Sequence, residues 1–129
     1  MFTLAFTFVA ALLATFARAS GSGNNLTLND GDNGKTVTLA PGGTLTVTLK
    51  SNRTTGYKWN LPNPPDARVL KLASSTYNAP SDPVPGRGGT EVWVFQAVGS
   101  GAVRVSLRYA RSFGTDESPT EFTVTVNVK

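Results

Sequence analysis

Histidine and cysteine are both absent from the 129 residues of this sequence. Without cysteine there is no disulfide, thiol nucleophile, iron–sulfur cluster or thiolate zinc site. Without histidine there is no Ser-His or Cys-His dyad and no imidazole ligand for a metal. An enzyme of this composition would need paired carboxylates, an activated lysine or a metal held by oxygen alone. The two absences therefore favour a binding protein that uses no cofactor and no metal.

Charged residues are also few, at 16% of the chain, with 12 Lys+Arg against 8 Asp+Glu and a net charge of +4. The basic residues do not cluster among aromatic residues, so the positive charge does not indicate a nucleic-acid partner. Apolar residues make up 40% of the chain, which can supply one core, and the length fits a single domain. The composition predicts one folded domain rather than a disordered chain.

The N-terminal residues have the pattern of an export signal. Residues 2–17 carry no charge, and Ala17–Ala19 (ARA) places small residues at the two positions that a signal peptidase reads. The start is irregular because the α-amine of Met1 supplies the only positive charge before the apolar run. A retained anchor, which would need about 20 apolar residues, and a buried helix are the alternatives. The pattern favours cleavage after Ala19.

Cleavage there would divide the chain into three parts. Residues 1–19 would be the signal peptide, Ser20–Asn25 (SGSGNN) a flexible polar leader, and residues 26–129 the working domain. We then expect a protein that is secreted or periplasmic and has no stable membrane anchor. A domain of this size without disulfides must be held together by its packed core alone.

Apolar and polar residues alternate along most of the remaining chain with the period of a β-strand, and no helical period is evident. The alternating segments are 37–39, 45–49, 103–109 and 122–128, with shorter strands expected at Tyr57–Asn60 and Val69–Ala73. Residues 92–95 (VWVF) are apolar throughout and suggest a strand covered on both faces. Turn signals separate them at Asn29–Gly31, Pro41–Gly43 and Gly99–Gly101. The pattern predicts an all-β protein, an immunoglobulin-like antiparallel β-sandwich of seven to eight strands.

The same alternation assigns side chains to faces. Trp59 and Trp93 lie within strand patterns and are expected in the core, whereas Arg104 and Arg108 are expected on the solvent side of their strand. The last strand is rich in β-branched residues, and we expect it to pair at the centre of its sheet.

Three loops are unusual for a scaffold, and loops carried by a rigid sandwich often hold the function. The first loop is Asn52–Tyr57 (NRTTGY). Gly56 permits a positive φ, and the Asn52 amide and the threonine hydroxyls can bond locally to fix the turn. Such a self-bonded tip suits insertion into a cleft, although a well-formed turn without a binding role has the same composition.

The second loop, Gly86–Thr90 (GRGGT), ends a stretch at Ser74–Pro85 that is expected to be irregular. Its glycines expose backbone groups to an approaching chain. It is not a phosphate cradle, because no Lys-Ser/Thr pair or helix start follows. The third loop, Arg111–Phe113 (RSF), lies in an expected connection at Ala110–Pro119. Its Phe beside an Arg has the composition of an interface anchor, and the alternative is a side chain that folds back onto its own domain.

Together and in this order, the three loops resemble the motifs of the chagasin family of secreted cysteine-peptidase inhibitors. The family's first motif is Asn-Pro-Thr-Thr-Gly-Phe/Tyr, which Asn52–Tyr57 matches except that Arg53 replaces proline. The second is Gly-X-Gly-Gly followed by Thr, which Gly86–Thr90 matches in full. The third is Arg-Pro-Trp/Phe after a Tyr-containing strand, which Tyr109–Phe113 matches except that Ser112 replaces proline. With this spacing the resemblance extends over nearly all of residues 26–129.

The resemblance implies a protein that is not an enzyme, whose partner is a papain-like (cathepsin-type) cysteine peptidase. The first loop would enter the active-site cleft as a wedge over the catalytic Cys–His pair. The second and third loops would grip the cleft from either side, with Phe113 stacked on an aromatic surface of the peptidase. We expect the inhibitor to act as a monomer. The residues so implied in peptidase binding are Asn52, Arg53, Thr54, Thr55, Gly56, Tyr57, Gly86, Arg87, Gly88, Gly89, Thr90, Arg111, Ser112 and Phe113.

The two departures from the motifs have consequences. Loss of a proline removes local stiffness, at about 0.4–1 kcal/mol per site, and is expected to weaken binding a few-fold unless Arg53 meets an acidic patch on the peptidase. Arg53 also completes an N-glycosylation sequon at Asn52, and a second sequon begins at Asn25. A glycan on Asn52 would cap the wedge, so we expect glycosylation there to abolish inhibition.

Two other classes of function fit the sequence less well. A secreted immunoglobulin-like adhesion or carbohydrate-binding module would expose Trp or Tyr platforms, whereas both tryptophans are expected in the core. An enzyme would need a carboxylate pair. The acidic cluster of Asp116, Glu117 and Glu121 is expected instead to solvate a loop and the start of the last strand.

Overall fold

The computed structural model describes residues 24–81, 88–111 and 120–129. These residues form eight strands, which confirms the predictions of an all-β protein and of seven to eight strands. The strands are β1 (Asn25–Leu28), β2 (Thr36–Leu39), β3 (Thr44–Ser51), β4 (Tyr57–Asn60), β5 (Leu70–Asn78), β6 (Gly89–Ala97), β7 (Gly101–Arg111) and β8 (Thr120–Val128). Short 3₁₀ turns follow β1 at Asp30–Asp32 and β3 at Arg53–Thr55. The predicted signal peptide and residues 20–23 of the predicted leader lie outside the described residues.

The strands form two four-stranded sheets, in the orders β1-β3-β6-β5 and β2-β8-β7-β4. The four pairings β3–β6, β5–β6, β4–β7 and β7–β8 are antiparallel, as predicted. The two edge pairings differ, because β1 runs parallel to β3 and β2 runs parallel to β8. The chain passes to the other sheet after β1 and returns after β2, so β1 and β3 run in the same direction. β8 lies between β2 and β7, which confirms its predicted central position.

The core fills the space between the two sheets, because alternate residues of each strand point inward. In β3, Leu45, Val47 and Leu49 are buried while the intervening threonines are half-buried. β8 buries its apolar residues in the same alternation. Trp59 and Trp93 are buried, as predicted. Each buried Val or Leu contributes about 1.5–3 kcal/mol relative to exposure, so this core is the main source of stability in a domain without disulfides.

Three strand boundaries differ from the sequence predictions. β1 begins at Asn25, and the Asn24 side chain accepts a hydrogen bond from the Ala40 backbone at 2.8 Å, so the end of the predicted leader belongs to the sheet. Ser74–Asn78, which is polar and predicted to be irregular, continues β5. Ala110 and Arg111, predicted in a connection, are the last residues of β7, where they pair with Lys58 and Tyr57 of β4. β1 and β5 are edge strands, which are held by backbone pairing to one neighbour and do not need apolar side chains to form.

The outer face of β7 carries the two arginines that the alternation places there. Arg104 and Arg108 are exposed, as predicted. Glu121 of β8 lies opposite Arg108 in the strand register, so the face is not uniformly basic. Within the described ranges, no helix is long and apolar enough to cross a membrane.

Candidate functional site

The structure brings the described parts of the three predicted loops to one end of the sandwich. The first loop, Asn52–Tyr57, joins β3 to β4. Ser51, just before the loop, pairs with Gly89 of β6, and Tyr57, at its end, pairs with Arg111 of β7. The first loop therefore lies between the start of β6 in one sheet and the end of β7 in the other. The remaining predicted site residues, Gly86, Arg87, Ser112 and Phe113, lie outside the described residues.

Hydrogen bonds within the first loop fix its shape, as its composition predicts. The side-chain oxygen of Asn52 accepts from the backbone N–H of Thr54 at 3.2 Å and from the Thr54 hydroxyl at 2.5 Å. The Thr55 hydroxyl donates to the Asn52 carbonyl oxygen at 2.6 Å. Gly56 ends the turn at φ 86°, in the left-handed region that favours glycine, and its N–H donates to the Arg53 carbonyl oxygen at 3.1 Å. The tip is thus a self-bonded 3₁₀ turn whose residues 53–55 are exposed.

Aromatic rings support the first loop from the sheet that contains β7. The Tyr109 ring centroid lies 5.3 Å from that of Tyr57 and 5.0 Å from that of Trp59. The guanidinium carbon of Arg111 lies 4.9 Å from the Tyr57 ring centroid. The Tyr109 hydroxyl accepts from the Asn52 backbone N–H at 2.8 Å and donates to the Asn52 carbonyl oxygen at 3.4 Å. The base of the loop is therefore held through both backbone groups of its first residue.

A buried carboxylate supports the first loop from the opposite sheet. Glu91 of β6 is 2% exposed. Its Oε2 accepts from the Ser51 hydroxyl at 2.6 Å and from the Trp59 backbone N–H at 3.0 Å. Its Oε1 accepts from the Arg53 guanidinium at 3.2 Å, and that guanidinium carbon lies 4.7 Å from the Tyr77 ring centroid. The charge of Arg53 is thus directed towards its own domain.

Two glycines of the second loop pack closely against neighbouring backbone. A Cβ added at Gly88 would lie 3.0 Å from the Ser51 carbonyl oxygen. A Cβ added at Gly89 would collide with the Asn78 carbonyl oxygen of β5. Gly89 is therefore required by packing within the domain, in addition to any contact with a partner, whereas a side chain at position 88 would need a small shift of its neighbours.

A groove of about 630 Å³ lies beside the first loop. Asn52 and Tyr109 line it on the side of the first loop, and Asn78, Pro80 and Gly88 line it towards β5 and the second loop. The groove joins the first loop and the start of β6 into one concave surface. Lys50, Ser51 and Thr90 line it as well. The groove therefore offers amides, hydroxyls, a phenol and an amine, which suit hydrogen bonding to another chain.

The described residues do not assemble a metal site. No group of three or more His, Cys, Asp or Glu side chains in that part of the chain lies close enough together to hold an ion. The arrangement at this end of the sandwich is therefore one of contact: an exposed, stiff turn supported by aromatic rings and a buried carboxylate.

Comparison with protein-family models identifies the family to which this sequence belongs. The sequence matches the model of the chagasin family peptidase inhibitors, I42, over residues 38–128. The chain belongs to the chagasin family. The resemblance inferred from the three loop motifs is thereby confirmed. Comparison with curated protein sequences gives no match.

Solved structures of chagasin-like inhibitors have the same fold. EhICP2, a cysteine protease inhibitor from Entamoeba histolytica, is 20% identical and matches with a TM-score of 0.72 over 84% of this chain and 100% of its own. The ICP of Leishmania mexicana is 30% identical, with a TM-score of 0.58 over 76% of this chain and 90% of its own. PbICP-C, solved in complex with falcipain-2, is 16% identical, with a TM-score of 0.50 over 85% of this chain and 93% of its own. The immunoglobulin-like sandwich predicted from the alternation is the chagasin fold.

The sequence predictions for this chagasin-family chain did not include Glu91, which contacts the first loop. A signal for it exists, because Glu91 has the same alternation phase as Trp93 and Phe95, which point into the core. A carboxylate at a core position is expected to be hydrogen-bonded within the fold. Its partners Ser51 and Arg53 are distant in sequence, so the contact itself is visible only in three dimensions.

The two sequon asparagines have different surroundings. Asn25 is exposed at the start of β1. Asn52 is half-buried, and its side-chain oxygen is bound to Thr54. The second site therefore lies within the turn that forms the tip of the first loop.

Proposed function

We propose that this protein is a reversible inhibitor of papain-like cysteine peptidases that blocks the active-site cleft with its three loops. It is exported through a signal peptide cleaved after Ala19, acts outside the cytoplasm as a monomer, and needs no cofactor. The observation that carries the proposal is the self-bonded turn at Asn52–Gly56, exposed at its tip and supported from both sheets. Membership of the chagasin family and the complex of PbICP-C with falcipain-2 support the choice of target class.

The hydrogen bonds of the first loop explain why a peptidase would not cleave it. A cysteine nucleophile needs a carbonyl carbon near 3 Å, with the carbonyl oxygen aligned on the oxyanion donors. The carbonyl oxygens of Asn52 and Arg53 already accept bonds from Thr55 and Gly56 inside the turn. Presenting either carbonyl as a substrate would break those bonds and unfold the tip. The loop would therefore occupy the cleft without offering the peptide bonds that follow Asn52 and Arg53 for cleavage.

The other two loops would add contacts on either side of the cleft. The second loop offers backbone groups next to glycines, and the third offers Phe113 as an anchor beside Arg111. Pre-organisation favours tight binding, because little conformational entropy is lost when a stiff surface docks. The Tyr109 and Glu91 contacts with the base of the first loop support this role.

The alternative of an adhesion or carbohydrate-binding module has no support from the tryptophans. Trp59 and Trp93 are both buried, so neither offers a flat platform to a sugar ring. An enzymatic role has no support from the described site either, since it holds one buried carboxylate and no histidine or cysteine.

A titration of the purified protein against a papain-like peptidase tests the proposal, with hydrolysis of a small fluorogenic substrate as the readout. Thr55→Ala removes the hydroxyl bond to Asn52 and should weaken inhibition about three- to tenfold. Phe113→Ala should weaken it at least as much by removing an anchor. Thr38→Ala is the matched control, because Thr38 is exposed on β2 opposite Asn127, near the other end of the sandwich.

Thermal melts should show that all three variants remain folded. No inhibition by the parent protein at micromolar concentration would defeat the proposal, and binding to a glycan array instead would favour the adhesion module. Inhibition that is unchanged in both Thr55→Ala and Phe113→Ala would show that the loops are assigned incorrectly.

A further inference from the structure

Glu91 is a charged group in a place where charge is costly. Its side chain is almost fully buried, and removing a carboxylate from water carries a large penalty unless hydrogen bonds and an opposite charge compensate it. Ser51 and Trp59 satisfy one carboxylate oxygen, through two donors on β3 and β4. The other oxygen has Arg53 as its partner. One side chain of β6 thus connects the strands on either side of the first loop with the loop itself.

Arg53 is held on two sides. Its guanidinium donates to Glu91 and lies over the Tyr77 ring of β5. These three residues, Glu91, Arg53 and Tyr77, are called the Arg53 clamp below. Arg53 begins the 3₁₀ turn, and its carbonyl oxygen accepts the bond that closes the turn from Gly56. Fixing the Arg53 side chain therefore restricts the backbone of the exposed tip.

We propose that Glu91 is a positioning residue for the first loop, and that the Arg53 clamp sets the stiffness and direction of the turn that enters the peptidase cleft. In this chain a charged contact does what a proline ring does in the motif that the first loop otherwise matches. The effect on inhibition rests on the proposed function, whereas the effect on the loop itself does not.

The backbone at position 53 offers a direct comparison between the two ways of stiffening the turn. Asn52 is extended, at φ −115° and ψ 92°. Its φ lies in the range that a residue before proline prefers, and its ψ is about 30° below that range. Arg53 is the first residue of the 3₁₀ turn, where proline is well tolerated because the N–H there has no partner within the turn. Arg53→Pro therefore removes the clamp while keeping the turn restricted.

Four proteins form the test: the parent, Glu91→Gln, Arg53→Pro and the double variant. A glutamine at position 91 can keep its carbonyl oxygen towards Ser51 and Trp59, and then turns an amide N–H towards the guanidinium, which breaks the contact with Arg53 alone. We expect Glu91→Gln to weaken inhibition about tenfold when residue 53 is arginine. With proline at 53, the same change should alter inhibition less than about twofold. If Glu91→Gln weakened inhibition equally with arginine and with proline at position 53, Glu91 would act only through the stability of the fold.

A second readout needs no peptidase. Hydrogen exchange of the Gly56 and Thr55 amides, whose acceptors are Arg53 and Asn52, reports opening of the turn. Glu91→Gln should accelerate this exchange about tenfold relative to the amides of β3, and Arg53→Pro should restore slow exchange in the double variant. Unchanged exchange in Glu91→Gln would overturn the proposal, even if inhibition were found.

Stability has to be measured separately, because Arg53→Pro leaves the buried carboxylate with two donors and no opposite charge. Tyr77→Leu provides a second route, since it removes the ring beneath Arg53 and keeps the carboxylate of Glu91, which lies opposite residue 77 in the strand register. It should accelerate Gly56 exchange about two- to threefold, as expected for loss of one cation–π contact at a partly exposed site. If the parent inhibits no peptidase while these exchange differences are observed, the proposed function fails and the positioning role stands.

Discussion

The hydroxyl of Tyr109 holds the first loop where it leaves β3. It accepts from the backbone N–H of Asn52 at 2.8 Å and donates to the carbonyl oxygen of the same residue at 3.4 Å. A half-buried N–H without a partner is costly. The phenol therefore contributes to the native state and to the order of the loop through one oxygen atom, while its ring packs on Tyr57 and Trp59.

Tyr109→Phe separates these two roles. The ring remains, so the aromatic contacts persist, but Asn52 loses its partner on the sheet. We expect the free energy of unfolding to fall by about 1 kcal/mol and inhibition to weaken about three- to tenfold. Urea denaturation and the peptidase titration measure the two effects. For the unfolding measurement, Tyr57→Phe is the matched control, because the Tyr57 ring lies in the same cluster and its hydroxyl makes no hydrogen bond to the described residues. For the titration the control is Thr38→Ala, since Tyr57 itself belongs to the first loop. An equal loss of stability in Tyr109→Phe and Tyr57→Phe would contradict the role of the Tyr109 hydroxyl.

At the scale of the strands, the start of β6 packs closely against the end of β5. Gly89 pairs with Ser51 of β3, and the following residue, Thr90, pairs with Asn78 of β5. The space that a Cβ on Gly89 would occupy is taken by the Asn78 carbonyl oxygen. The backbone at the end of β5 therefore leaves room only for glycine at this position.

Gly89→Ala should push the end of β5 away from β6. The expected cost is about 1–3 kcal/mol in the free energy of unfolding, as for other overpacked sites. Because Tyr77 precedes Asn78 in β5, we also expect faster exchange of the Gly56 amide. Gly31→Ala is the control, since its Cβ would meet nothing nearer than the Asn29 side-chain oxygen at 3.3 Å. A Gly89→Ala variant as stable as Gly31→Ala would show that β5 yields without cost.

The strands differ in how well the amino-acid sequence predicts them. β3, β7 and β8 were predictable because each alternates over several residues between a buried and a more exposed face. β6 was predictable from its run of β-branched and aromatic residues. β1 and the second half of β5 were missed because they are edge segments, where backbone pairing replaces apolar side chains. The parallel pairing of β1 with β3 was not predictable, because an alternating pattern carries no strand direction.

Some contacts of the candidate site were likewise predictable from the sequence, and others were not. The self-bonding of Asn52, Thr54 and Thr55 was predictable because it is local, over three residues. The contacts of Glu91 and Tyr109 with the base of the loop were not, because they span 38 to 57 positions of sequence. The alternation of β6 indicates that Glu91 is buried, but it does not indicate which residues form hydrogen bonds with the carboxylate.

For the whole molecule, the absence of histidine determines how stability responds to pH. No side chain of an ordinary pKa between about 5 and 8 remains. Asp32 accepts hydrogen bonds from the Lys35 side chain and from the Asn29 backbone, which hold its pKa below the ordinary value of 3.8. The Arg68 side chain and backbone N–H do the same for the pKa of Asp66. A carboxyl group with a lowered pKa in the folded state stabilises the fold above its unfolded pKa, and that contribution is lost as the pH falls through the folded value.

We therefore expect the free energy of unfolding to change little from about pH 5 to pH 8 and to fall below about pH 4. In a double variant, Asp32→Asn with Asp66→Asn, each amide keeps an oxygen for the backbone N–H bond but cannot titrate. Urea denaturation at a series of pH values should show this variant less stable than the parent near neutrality and losing less stability on acidification. Thr38→Ala, which changes no charge, should follow the parent throughout. Curves for the double variant that run parallel to those of the parent would mean that other carboxyl groups control the acid limb, and a transition near neutral pH would contradict the argument from the missing histidine.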